Sequence, residues 1–404
     1  MKNILVIGAG ASGMMAALAA AKCGSRVTIY EKSDRIGKKI LATGNGKCNL
    51  TNLKMGTEFY YTEDEEKLSR CLAAFTEQDT LSFFDEIGLM TRERDGYVYP
   101  YCEQAAVVLD VLRLALEENG IRIKTSVEQI RLDNLKDGTF QVVSTAGKEK
   151  FDAVVLACGS KAGIKNAITD GYDLAKNFGH KIIKLYPALV QVRCQENFFS
   201  VVAGVRIKAG VTLWVDGKVN AVESGEVQLT DYGISGIPIF QISRLIAGYL
   251  DEKKKITVCL DFLPHLSSDE WKVFYEKRLK CYEGRMTEEF LLGILHKKIS
   301  QMLLKEFGLK PSDVINESVK KKLELLCDTM KVFKVTPQSV NAFEQAQVCR
   351  GGVDFNELED TMQSIYRKNL YICGEMVDID GKCGGYNLQW AWTSGYLAGS
   401  NAAK

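Results

Sequence analysis

The sequence lacks any long apolar run and any excess of charge of one sign. No uninterrupted stretch of about 18 apolar residues occurs, so no segment is expected to span a membrane. Lys and Arg number 52 against 51 Asp and Glu, which leaves a formal net charge of +1. This balance gives no reason to expect a nucleic acid or an anionic membrane as a partner. At 404 residues with 46% hydrophobic content, the chain is long enough for two or three globular domains.

Histidine is also scarce, and closely spaced cysteine pairs are absent. Only three histidines are present, His180, His265 and His296, and none lies in a glycine-rich segment. The twelve cysteines are scattered without any C-x-x-C pair, so neither a structural zinc site nor any other metal site is predicted. Scattered free thiols are typical of a reducing compartment, and a cytoplasmic location is therefore expected.

Glycines, in contrast, form a pattern at the start of the chain. Residues 4–7 are an apolar run typical of a buried parallel strand. Gly8, Gly10 and Gly13 follow where such a strand would turn into a helix; they permit a tight turn, a close approach of pyrophosphate and a close helix-sheet contact. Glu31 ends the next predicted strand, where a carboxylate can bind ribose hydroxyls and select against a 2′-phosphate. The spacing predicts a βαβ unit that binds a dinucleotide at a helix N-terminus.

The fingerprint alone does not separate NAD from FAD, but the far end of the chain favours FAD. Residues 370–374 predict a strand that leads into Glu375, an acid suited to the ribityl chain. Gly384 and Gly385 then open a last helix, whose positive end could face the flavin N1 and C2 oxygen. FAD is long enough to need both ends of the chain. The sequence also lacks a recognisable set of acid-base residues of the kind expected in a nicotinamide dehydrogenase, and this favours FAD over NAD.

The pattern predicts an α/β fold in four segments. Residues 1–188 form the first part of a Rossmann-like FAD-binding domain, and residues 336–404 return to complete it. Residues 189–262 are dominated by strand patterns and predict an inserted β-rich domain. Residues 263–335 are charged and helical in period, and predict an inserted helical domain.

Two segments of the first part have distinct patterns. Residues 37–52 are too polar and too rich in glycine for a regular element, and predict a functional loop. Short apolar pieces between residues 127 and 157 alternate with turn signals at Gly138 and Gly147 and predict a small antiparallel meander. Its last strand would be residues 153–157.

Four motifs carry a specific resemblance. They are residues 44–52 (GNGKCNLTN), 171–175 (GYDLA) with Gly179 and His180, 230–236 (TDYGISG) and 381–389 (GKCGGYNLQ). With them the whole chain resembles the HI0933-like, or BaiN-like, family of bacterial flavoproteins. The resemblance implies an FAD domain built from both chain ends, with an inserted β-rich domain and a helical domain. That agrees with the division above.

The fingerprint and the resemblance together predict the residues that bind FAD. The resemblance implies that Val127 contacts FAD through its backbone beside the adenine, and that the loop around Gly46 lies at the cofactor. The candidates are Gly8, Gly10, Ser12, Gly13, Glu31, Lys32, Lys39, Gly44, Gly46, Cys48, Val127, Gly159, Glu375, Asn387 and Leu388.

The resemblance implies an FAD-dependent oxidoreductase that moves a hydride through flavin N5. The expected reaction reduces an activated C=C bond of a small molecule, such as a 3-oxo-Δ4 steroid or a bile-acid-like enone, with NAD(P)H as a transient donor. Two alternatives stay open: a flavin amine oxidase that uses O2 on an aminoacetone-like substrate, and a flavin-binding protein without turnover. The sequence predicts neither an oligomeric state nor a catalytic residue, beyond Tyr386 as a candidate proton donor. No second cysteine lies within five residues of Cys48, so a dithiol mechanism would need a distant partner such as Cys383 and is not favoured.

Overall fold

The computed structural model describes residues 1–163 and 170–404, and the chain divides into two units. Unit 1 comprises Met1–Tyr186 and Gln347–Lys404, and unit 2 comprises Pro187–Ala346. The two ends of the chain share unit 1, and the predicted Rossmann-like α/β fold is confirmed. The division of the inserted segment into separate β-rich and helical domains, with its predicted boundaries, stays a prediction.

The secondary structure follows in chain order. The N-terminal part of unit 1 contains β1 (Asn3–Ile7), α1 (Ala11–Lys22), β2 (Arg26–Tyr30), α2 (Lys38–Ala42), β3 (Thr51–Asn52), β4 (Tyr60–Tyr61), α3 (Glu65–Ala74), α4 (Glu77–Glu86), β5 (Thr91–Arg94), β6 (Tyr97–Pro100), α5 (Ala105–Glu118), β7 (Arg122–Lys124), β8 (Arg131–Asn134), β9 (Phe140–Ser144), β10 (Gly147–Phe151), β11 (Ala153–Leu156) and α6 (Asp170–Asn177). After β12 (Tyr186–Ala188), unit 2 contains β13 (Val192–Cys194), α7 (Phe199–Val202), β14 (Arg206–Val215), β15 (Lys218–Leu229), β16 (Gly233–Ser235), α8 (Ile237–Asp251), β17 (Ile256–Asp261), α9 (Ser268–Cys281), α10 (Thr287–Phe290), α11 (Lys297–Glu306), α12 (Glu317–Thr329), β18 (Phe333–Val335) and β19 (Pro337–Val340). The return to unit 1 contains β20 (Val348–Arg350), β21 (Leu370–Ile372), β22 (Asp380–Gly381) and α13 (Tyr386–Ala402).

A five-stranded sheet forms the centre of unit 1, in the order β21-β11-β1-β2-β7. All its pairings are parallel. The two central strands β1 and β11 are apolar and almost entirely buried, as expected for a parallel sheet covered on both faces. Because the strands are parallel, their carboxyl ends meet at one edge.

Two local predictions need correction. The antiparallel meander consists of β8, β9 and β10 only, whereas β11 leaves it and pairs in parallel with β1. Asp152, between β10 and β11, accepts a hydrogen bond from the Asn3 backbone N–H at 2.7 Å, and its own N–H donates to Asn3 O at 2.8 Å. These bonds align β11 with β1. The segment 37–52 is also more regular than predicted, since it contains α2.

The last helix lies directly on the first. An ideal Cβ at Gly399 would lie 2.0 Å from the Ala16 carbonyl oxygen, and one at Gly395 would lie 2.4 Å from the Ser12 carbonyl oxygen. Only glycine lets the backbone of α13 approach α1 this closely. The C-terminal segment is thereby placed beside the glycine fingerprint.

Unit 2 has a seven-stranded antiparallel sheet in the order β18-β17-β14-β15-β16-β13-β19. Its core combines side chains of the sheet, such as Leu213, with side chains of the helices, such as Trp271, Leu303 and Leu326. Sheet and helices of this unit therefore stabilise one another. Among the described residues, no helix is long and apolar enough to cross a membrane.

The contact between α1 and α13 predicts the effect of Gly399→Ala. The added methyl would overlap the Ala16 carbonyl, so we expect the free energy of unfolding to fall by about 1–3 kcal/mol. Ser400→Ala is the control at the next, half-buried position, where we expect a change within about 0.5 kcal/mol. Urea denaturation followed by circular dichroism measures both. Equal stability of Gly399→Ala and the wild type would contradict the close helix contact.

Candidate functional site

A cavity in unit 1 lies at the edge where the carboxyl ends of the parallel strands meet. Its volume is about 1030 Å³, including space open to solvent. Residues that shortly follow β1, β2, β11 and β21 line it, together with the first residues of α1 and α13. In open α/β sheets, ligands bind in the crevice outside the carboxyl ends of the strands. The cavity is therefore the candidate functional site.

The three fingerprint glycines have different surroundings. Gly8 has a φ of +106°, and an ideal Cβ there would lie 2.3 Å from the Ala157 carbonyl oxygen. At Gly13 the Cβ would lie 2.0 Å from the Gly8 carbonyl oxygen. At Gly10, which lines the cavity, a Cβ would meet nothing within 4 Å. Packing therefore requires glycine at positions 8 and 13, whereas the space beside Gly10 is open to a ligand.

Glu31 lies where the second strand ends and lines the cavity. Its two carboxylate oxygens accept hydrogen bonds from the backbone N–H groups of Ala9, at 2.8 Å, and Ser33, at 2.7 Å. Its backbone carbonyl accepts a hydrogen bond from the Val127 N–H at 3.0 Å. A carboxylate has about four acceptor sites, so these bonds fix its orientation and leave capacity for ribose hydroxyls.

A second carboxylate, Glu375, lines another part of the cavity. It forms an ion pair with Lys39, and it accepts hydrogen bonds from the Ser160 hydroxyl at 2.7 Å and the Cys349 backbone N–H at 2.8 Å. Both members of the ion pair are partly buried, with 25% of the Lys39 side chain and 19% of the Glu375 side chain exposed. The carboxylate thus holds a lysine ammonium at the cavity wall, where it can attract an anionic group.

The start of α13 completes the cavity. Gly385, the residue before the helix, has a φ of +94°, and an ideal Cβ there would lie 2.6 Å from the Thr51 carbonyl oxygen. The side chain of Asn387 folds back onto the preceding turn, accepting from Gly381 N–H at 2.8 Å and donating to Gly381 O at 2.7 Å. The N-termini of both α1 and α13 therefore lie at the cavity, and each contributes a positive dipole end.

The cavity brings together most of the predicted cofactor residues. Those that line it are Gly8, Gly10, Ser12, Glu31, Lys39, Gly159, Glu375, Asn387 and Leu388. The remaining ones, which are all described but do not line it, are Gly13, Lys32, Gly44, Gly46, Cys48 and Val127. Of these, Gly13 packs the helix on the sheet, and Cys48 is fully buried. Burial raises the pKa of the Cys48 thiol to about 11, so this residue is poorly suited to thiolate chemistry.

Sequence reasoning missed several lining residues. Ser33 and Arg35 follow Glu31 closely, and Ser160 follows Gly159, so proximity in sequence to a predicted residue could have found them. Gln347 and Val348 have no sequence signal of their own, because only the return of the chain to unit 1 brings them to the cavity. Among the described residues, no cluster of three or more His, Cys, Asp or Glu side chains could hold a metal ion.

Comparison with solved structures gives only distant matches. A 3-ketosteroid-delta4-(5alpha)-dehydrogenase from Rhodococcus jostii matches with a TM-score of 0.47 and 13% identity, over 100% of this chain and 97% of that chain. A flavocytochrome c3 fumarate reductase matches with a TM-score of 0.48 and 16% identity, over 100% of this chain and 78% of that chain. Both TM-scores lie below 0.5, so neither match supports a conclusion about function.

Comparison with family models and curated sequences identifies the family of the chain. The family model described as "HI0933-like protein Rossmann domain" matches residues 2–401. A Clostridium scindens protein named 3-dehydro-bile acid delta(4,6)-reductase is 43% identical over 411 residues, which cover 100% of both chains. A Haemophilus influenzae protein named ribosomal RNA dihydrouridine synthase is 29% identical over 402 residues, covering 97% of this chain and 96% of its own. The chain belongs to the HI0933-like family and is an FAD-dependent oxidoreductase.

Proposed function

We propose that the protein binds FAD in the unit 1 cavity and reduces a C=C bond conjugated to a carbonyl, in a small molecule of the 3-oxo steroid or bile-acid class. The observation that carries this proposal is the 43% identity, over the full length of both chains, to the protein named 3-dehydro-bile acid delta(4,6)-reductase. The polar groups of the cavity support this proposal, because they suit the separate parts of FAD.

The adenosine and pyrophosphate half of FAD is assigned to the fingerprint side. Glu31, held by two backbone N–H groups, is oriented to accept ribose hydroxyls. The Val127 N–H donates to the Glu31 carbonyl, and this contact supports the assignment of Val127 to the adenine end. The open space at Gly10 and the N-terminus of α1 suit the pyrophosphate.

The flavin half is assigned to Lys39, Glu375 and the start of α13. Reduced flavin supplies the hydride of the reaction, and negative charge accumulates near its N1 and C2 oxygen. The Lys39 ammonium, oriented by Glu375, and the N-terminus of α13 provide positive charge of the kind that stabilises such an anion. NAD(P)H is the proposed electron donor, and the cytoplasm is the proposed location.

A second candidate substrate class comes from the relatives named ribosomal RNA dihydrouridine synthase, which are 29% and 27% identical over nearly the whole chain. Dihydrouridine is uridine with its C5–C6 double bond reduced, and that bond is conjugated to the C4 carbonyl. Both relatives' names therefore describe addition of hydrogen to a C=C bond in conjugation with a carbonyl. The bile-acid class is preferred because its relative has the higher identity.

Gly10→Ala tests the placement of FAD. Its φ of −82° suits alanine and a Cβ would meet nothing within 4 Å, so we expect the stability of the FAD-free protein to change by no more than about 0.5 kcal/mol. The methyl group would occupy space assigned to the pyrophosphate, so the Kd for FAD should rise by about tenfold or more. Fluorescence titration of the FAD-free protein measures this. Gly13→Ala is the contrasting variant, which should lose stability because its Cβ overlaps the Gly8 carbonyl.

Anaerobic stopped-flow spectroscopy tests the reaction. The flavin of the wild-type holoenzyme is first reduced with NADH or NADPH, and the reduced enzyme is then mixed with a 3-oxo-Δ4 steroid. We expect rapid reoxidation by the enone and none by the corresponding saturated 3-oxo steroid, which lacks the conjugated bond. Reoxidation by a ribosomal RNA fragment but by no steroid would favour the second substrate class. Rapid reoxidation by O2 together with reduction by an amine would instead favour the amine oxidase.

A further inference from the structure

Reduction of a conjugated C=C bond needs a proton as well as a hydride. The hydride adds to the β-carbon, and the α-carbon must receive a proton from an acid in the site or from water. Histidine is an unsuitable source in unit 1, because its only histidine, His180, is buried between Glu357, at 3.2 Å, and Ser364, at 2.7 Å. Tyrosine hydroxyls near the start of α13 are candidates for this acid.

Two of these tyrosines have hydroxyl groups that are already engaged inside the protein. The Tyr386 hydroxyl donates to the Lys54 carbonyl at 3.1 Å, and its ring stacks on Phe59. The Tyr60 hydroxyl donates to the Tyr386 carbonyl at 2.9 Å. Both residues are buried, and burial raises the pKa of Tyr386 to about 12 and that of Tyr60 well above its usual value. The sequence-based candidate Tyr386 is therefore better explained as a structural residue.

Tyr97 differs from both. It lies on β6, is only half-buried, and its hydroxyl makes no hydrogen bond to any described residue. Its ring lies against the glycine turn that opens α13, since an ideal Cβ at Gly384 would lie 3.0 Å from Tyr97 Cε1. The turn is held in place by Asn52, whose side chain donates to the Gly384 carbonyl at 2.9 Å. Tyr97 thus presents a free phenol beside the turn that opens α13.

We infer that the Tyr97 hydroxyl donates the proton to the α-carbon of the substrate. This inference rests on the proposed function. Bound flavin, reduced by NAD(P)H, would supply the hydride for the β-carbon of the C=C bond. The O–H bond of Tyr97 breaks as the new C–H bond forms at the α-carbon, and the tyrosinate then takes a proton from water. The partial exposure of Tyr97 allows that last step.

The strand provides a matched control for Tyr97→Phe. Tyr99 lies two residues farther along β6, on the same face as Tyr97. In the pairing with β5, Tyr99 is opposite Arg92 and Tyr97 is opposite Arg94. It is also half-buried, and its position in the strand places it beyond the contact with Gly384. Tyr99→Phe removes the same hydroxyl group from the same surface without touching the proposed proton path.

The test measures each half of the reaction in the FAD-loaded wild type and the two variants. For Tyr97→Phe we expect unchanged FAD affinity and unchanged flavin reduction by NAD(P)H, with reoxidation by the 3-oxo-Δ4 steroid about 100-fold slower. In D2O, NMR should show one stereoisomer at the deuterated α-carbon for the wild type and for Tyr99→Phe. The residual product of Tyr97→Phe should contain both stereoisomers, because water then supplies the deuteron from either face.

Contrary outcomes separate the two proposals. Reoxidation of Tyr97→Phe at the wild-type rate overturns the role of Tyr97 and leaves the proposed function intact. Loss of FAD binding in Tyr97→Phe, or an equal slowing of Tyr99→Phe, also overturns it, since either result indicates a structural effect. If the wild type itself reduces no conjugated carbonyl compound, the proposed function fails and the inference about Tyr97 fails with it.

Discussion

Close contact between α1 and α13 is the constraint on which the cavity depends. Gly395 and Gly399 bring the backbone of the last helix against the carbonyls of Ser12 and Ala16 on the first. Without this approach, the residues at the start of α13 and the carboxylate of Glu375 would not share a cavity with the fingerprint glycines. The packing of these two helices therefore decides whether the residues of both chain segments share one cavity.

The two carboxylates of the cavity illustrate how the chain positions charge with its own groups. Glu31 is fixed by two backbone N–H groups, and Glu375 is fixed by a lysine, a serine and a backbone N–H. Such groups need little reorganisation when they meet a ligand, which is the physical basis of preorganised recognition. The consequence for Lys39 is that its ammonium lies at the cavity wall instead of moving freely in solvent.

Much of the Rossmann-like unit was predictable from local patterns, because its strands are short apolar runs and its turns need glycine. The fingerprint at Gly8, Gly10 and Gly13 and the returning element at Glu375 were predicted on that basis, and the cavity contains Gly8, Gly10 and Glu375. The meander prediction was wrong for β11, since an apolar strand after a tight connection can continue an antiparallel hairpin or join a parallel sheet. The Asn3–Asp152 hydrogen bonds decide that choice, and they join residues far apart in sequence.

The sequence by itself predicted a dinucleotide and the strand-turn-helix assigned to its phosphates, because these depend on residue types at short spacings. Only the tertiary structure decided which residues complete the cavity and that the Tyr386 hydroxyl is hydrogen-bonded inside the protein. Ser160, Gln347 and Val348 reach the cavity through folding of distant segments, and the engagement of Tyr386 with Lys54 is a contact between residues 332 positions apart. Such contacts arise from packing and hydrogen bonding between elements, and no local periodicity encodes them.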